Sequence, residues 1–63
     1  MNELVRQVIN LLQEGQISLA AIHAANNKVD KAFIAQVERF VPPIIFQEFK
    51  TLVTDIQYGG TNY

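Results

Sequence analysis

Sixty-three residues are enough for one domain and no more. The chain has no cysteine, which excludes disulfides, thiolate catalysis and metal–thiolate sites. Five Lys/Arg against six Asp/Glu leave a net charge of −1, too little to capture nucleic acid or an acidic membrane electrostatically.

The first predicted helix covers residues 2–14. Leu4, Val5, Val8, Ile9, Leu11 and Leu12 form its apolar face, and Arg6, Gln7, Asn10, Gln13 and Glu14 the wet one. Glu3 stands in the first turn, where a negative charge suits the helix dipole. Gly15 is placed to end the helix in the left-handed conformation.

Ser18 has the position of an N-cap for a second helix over residues 19–26, with Ile17 and Ile22 at the spacing of a hydrophobic staple. Ala20, Ala21, Ala24 and Ala25 share one side of that helix. Small side chains there suit either a close helix contact or simple helix propensity. Asn26-Asn27 is the expected stop, since asparagine tolerates the left-handed conformation.

Val29, Asp30 and Ile34 repeat the staple-and-cap pattern, so Asp30 is the N-cap of a third helix over residues 31–41. Its stripe is Phe33, Ile34, Val37, Phe40 and Val41. Pro42-Pro43 ends it, because proline disfavours helical dihedrals at the residue before it and cannot donate to the preceding turn. Proline suits the first turn of a new helix, and a fourth is expected over residues 43–57. Ile45, Phe46, Phe49, Leu52, Val53 and Ile56 give that helix the clearest 3.6-residue stripe in the chain. Residues 58–63, with Gly59-Gly60, read as a flexible C-terminal tail after a single helical domain over residues 1–57.

No segment alternates with period two, so the expected fold is all-α: three to four short amphipathic helices in a compact bundle. Twenty-two Leu, Ile, Val and Phe residues lie between Leu4 and Ile56. That is more apolar surface than a chain this short readily hides, since a domain of ~60 residues buries only about 60% of its unfolded surface. A homodimer completing the bundle is therefore expected, with Phe46, Phe49, Val53 and Leu12 at its interface. Phe33 and Phe40 are assigned to the core.

The chemistry-bearing residues are sparse. His23, the one histidine, has no carboxylate near it in sequence, so a hydrogen-bonded boundary position is expected. Ser18 is five residues from His23 and off its helical face, and Glu48 and Asp55 have the spacing of a solvated face. No catalytic, cofactor or metal site is expected. Nothing approaches the ~20 apolar residues of a membrane span, and Met1-Asn2-Glu3 lacks the basic start of a leader, so a cytoplasmic protein is expected. The leading functional expectation is a protein–protein interaction module, an adaptor or stoichiometric inhibitor or regulator, with a protein partner of unknown identity. The alternative is a helix-turn-helix DNA-binding regulator using residues 19–26 and 31–41. Lys28, Lys31 and Arg39 favour it, but Asp30 and Glu38 leave that region with little net positive charge.

Overall fold

Apolar residues at i, i+3, i+4 and i+7 fold the first segment into α1 (Glu3–Gln13), which buries Val5, Val8, Ile9 and Leu12. The computed structural model describes residues 3–58. It continues with α2 (Ile17–Asn26), α3 (Lys31–Glu38) and α4 (Pro43–Gln57), and there is no strand among the described residues. Residues 59–63 of the expected tail lie outside the described part of the chain. Its first residue, Tyr58, caps α4, donating its N–H to the Thr54 carbonyl at 2.9 Å.

Backbone hydrogen bonding at Gly15 decides where α2 begins. Gly15 takes φ +82°. Its N–H reaches the Leu12 carbonyl at 3.0 Å, and the Gln16 N–H reaches that of Leu11 at 2.9 Å. This pair of bonds is a Schellman motif. It delivers the chain straight into the next helix, with Gln16 at the N-cap position and no side-chain cap. Ser18 is therefore not the N-cap. It lies inside the first turn of α2, which starts two residues earlier than its hydroxyl suggested. The earlier start seats Ile17 against the core, partly buried.

At the other end of α2, Asn27 stays near φ −99°, and the left-handed residue is Lys28 at φ 52°. Asn27 acts through its side chain, Nδ2 donating to the His23 carbonyl at 2.8 Å and satisfying a carbonyl of the last turn. Asp30 is the N-cap of α3, its Oδ1 accepting from the Phe33 N–H at 2.9 Å.

Helix α3 stops at Glu38 rather than Val41. The Arg39 and Phe40 N–H groups bond to the Gln36 and Val37 carbonyls, three residues back, so the last turn tightens and unwinds ahead of the prolines. Without helical geometry to carry it inward, Phe40 is 49% exposed, which overturns its assignment to the core. Val41 and Phe33 are buried.

Helix α2 forms the middle of the molecule. Its buried face consists of Ala20, Ala21, Ala24 and Ala25, and it packs most extensively on α4 and next on α1. Methyl side chains let both neighbours approach its backbone closely. The start of α2 shares a surface hollow with Glu48, and its end shares another with Ile56 and Gln57, so α2 and α4 run roughly parallel. Helix α3 touches α1 and α4 more lightly and returns the chain between the two parallel helices. The radius of gyration, 10.8 Å, is that of a fully collapsed chain of this length.

Candidate interaction surface

The four residues expected at a subunit interface are interior. Leu12, Phe46, Phe49 and Val53 all belong to the one buried cluster, together with Val5, Val8, Ala20, Ala21, Ala24, Phe33 and Val37. Their stripes meet within a single chain, because α2 offers a face thin enough for α1 and α4 to close around it. These side chains are therefore not available to a second subunit in this fold.

The apolar surface that does face water lies elsewhere. Ile44 is 80% exposed, Leu19 53% and Ile22 46%, beside the exposed Phe40 and Ile56. Leu19 and Ile22 lie one turn apart on the outer face of α2, away from its alanines. Ile44 and Pro43 border a shallow hollow at the start of α4, with Leu52 further along. Of these residues only Leu52 packs against the core, and no polar or charged residue is buried among the described residues.

A groove of about 430 Å³ separates α3 from α4. Lys31, Ile34, Ala35 and Glu38 form the α3 wall, and Gln47, Lys50 and Thr54 stand on the α4 wall above Phe46 and Val53. Gln57 also borders it, and its Oε1 is buried without a hydrogen-bond donor. Such an atom costs about 1–3 kcal/mol.

His23 is a boundary residue whose Nε2 lies 2.8 Å from Gln7 Oε1, joining α2 to α1. Gln7 Nε2 in turn donates to Glu3 Oε2 at 3.4 Å, and Glu3 Oε1 pairs with Arg6 Nη2 at 3.0 Å. That ion pair is well exposed on both sides and contributes little. Among the described residues no group of three or more His, Asp or Glu side chains converges to hold a metal ion. No described helix is long and apolar enough to cross a membrane.

The α2–α3 segment lacks the mutual bracing of a helix-turn-helix reader. The two helices share a link, yet each packs chiefly on other partners, α2 on α4 and α1, and α3 on α1 and α4. The chain matches no family model, and neither curated proteins nor solved structures include a match to it.

Proposed function

We propose that this chain is a non-enzymatic protein–protein interaction module, an adaptor or stoichiometric regulator, that also pairs with itself. One observation carries the reading. The core closes without Leu19, Ile22, Phe40 and Ile44, and the fold holds these large apolar side chains out in water on several outward faces. Exposed apolar side chains that lie together, as Leu19 and Ile22 do one turn apart, offer a surface that another protein can cover. A net charge of −1 leaves little self-repulsion to oppose association.

Sedimentation equilibrium between low and high micromolar concentration tests the self-pairing. A mass above the monomer that falls on dilution is expected. The double variants Leu19→Glu/Ile22→Glu and Phe40→Ser/Ile44→Ser alter only exposed positions, so their helical circular dichroism should match that of the parent. At least one should weaken association. A monomer at every concentration removes self-pairing from the proposal. Tight, salt-sensitive binding to mixed duplex DNA would overturn the module reading altogether.

A further inference from the structure

Helix α3 carries its charges in pairs, the Asp30 cap beside Lys31 at its start and Glu38 beside the C-cap residue Arg39 at its end. Read in the opposite direction this order sets a cation against every anion, with Lys31 and Glu38 at matching positions. Neither residue is offset by an ion pair, since among the described residues only Arg6 and Glu3 form one. Both are exposed and sit on the α3 wall of the groove with Ile34 and Ala35 between them.

We propose that the occupant of this groove is a second copy of the chain, its α3 lying antiparallel against α3 about a two-fold axis between Ile34 and Ala35. The inference rests on the self-pairing just proposed and assigns it a face. That single register sets Lys31 against Glu38 of the partner subunit, and Asp30 against Arg39 of the partner subunit, each pair occurring twice by symmetry. It sets Val29, which also lines the groove, against Phe40 of the partner subunit, so the exposed phenyl ring gains an apolar seat. Ala35, small and exposed, lies beside the axis where the two backbones approach most closely. Glu38 of the partner subunit comes to the N-terminus of α3, and Lys31 of the partner subunit to its C-terminus. The pairing thus adds an anion at the end that holds Lys31 and a cation at the end that holds Glu38. The groove between α3 and α4 is the space the incoming helix fills.

Charge reversal tests the register. Lys31→Glu makes this face uniformly acidic at 31 and 38, and Glu38→Lys makes it uniformly basic. Each variant alone should show a dimer dissociation constant raised at least about tenfold at low salt, because like charges then oppose across the axis. Mixed in equal amounts, the two should form a heterodimer, since every clash becomes an opposite-charge pair. Both substitutions suit the dipole of α3, so circular dichroism and denaturant midpoints should show no loss of fold. If the parent associates but both variants associate as it does, or their mixture forms no heterodimer, the α3 face is wrong while self-pairing stands. If the parent is a monomer throughout, both fail together.

Discussion

Helices α2 and α3 are of similar length and are held by opposite means. Helix α2 has no side-chain N-cap, yet four alanines bury its inner face and it is packed from two sides by α4 and α1. Helix α3 has a well-formed aspartate cap, but it buries only Phe33 and Val37. Tertiary burial therefore maintains one helix and local hydrogen bonding the other. Short helices are marginal alone, so each needs one of these supports.

The largest effect should come from emptying the core that α2 faces. Phe49 is fully buried there, and Phe49→Ala should cost about 3–5 kcal/mol in a denaturant titration. The loss should not depend on protein concentration, because Phe49 belongs to one chain's interior. A loss that vanishes at high concentration would return this residue to an interface.

Next in size is the spacing that the alanines set. Ala24 is fully buried, and Ala24→Leu should destabilise by about 1–3 kcal/mol despite leucine's high helix propensity. An unchanged or raised midpoint would mean that α1 and α4 are not held close to α2.

The smallest contrast is between the two candidate caps. Asp30→Ala should cost roughly 1 kcal/mol, since the Phe33 N–H loses its acceptor. Ser18→Ala should fall within about 0.5 kcal/mol of the parent, since that hydroxyl caps nothing. Equal losses at the two positions would show that the contrast between the helices is mistaken.

The four helices were legible from periodicity and punctuation. Pro43 marks the start of α4, and Gly15 marks the end of α1 to within one residue. The start of α2 lies two residues before the one Ser18 implies, because the backbone at Gly15 outranks a side-chain signal. A glycine at the C′ position already implies that the next residue is tied back to the old helix, which leaves Gln16 as the doorway to the new one. The end of α3 was placed too late because apolar spacing continued to Val41, while the proline pair acts over the whole preceding turn.

The stripe expected at an interface is interior for a related reason. A long apolar stripe such as Phe46, Phe49 and Val53 marks what a helix buries first, and here a thin alanine helix within the same chain was available to bury it. The exposed Leu19, Ile22 and Ile44 lie off those stripes and open onto wet helix faces. That position, rather than side-chain size, was the signal in the sequence. The groove between α3 and α4 depends on how far two helices splay, which periodicity does not encode.

The parallel course of α2 and α4 has a consequence for chain connectivity. The most extensive contact in the molecule joins segments separated by residues 27–42, so that stretch must be spanned before the contact forms. Left as a flexible tether, it would cost about 2–3 kcal/mol in closure entropy. Folded as α3, it becomes a rigid strut that spends this cost within one short helix and fixes the distance over which α4 returns. The Asp30 cap thus does more than start a helix: by holding α3 it sets the effective concentration at which α2 meets α4.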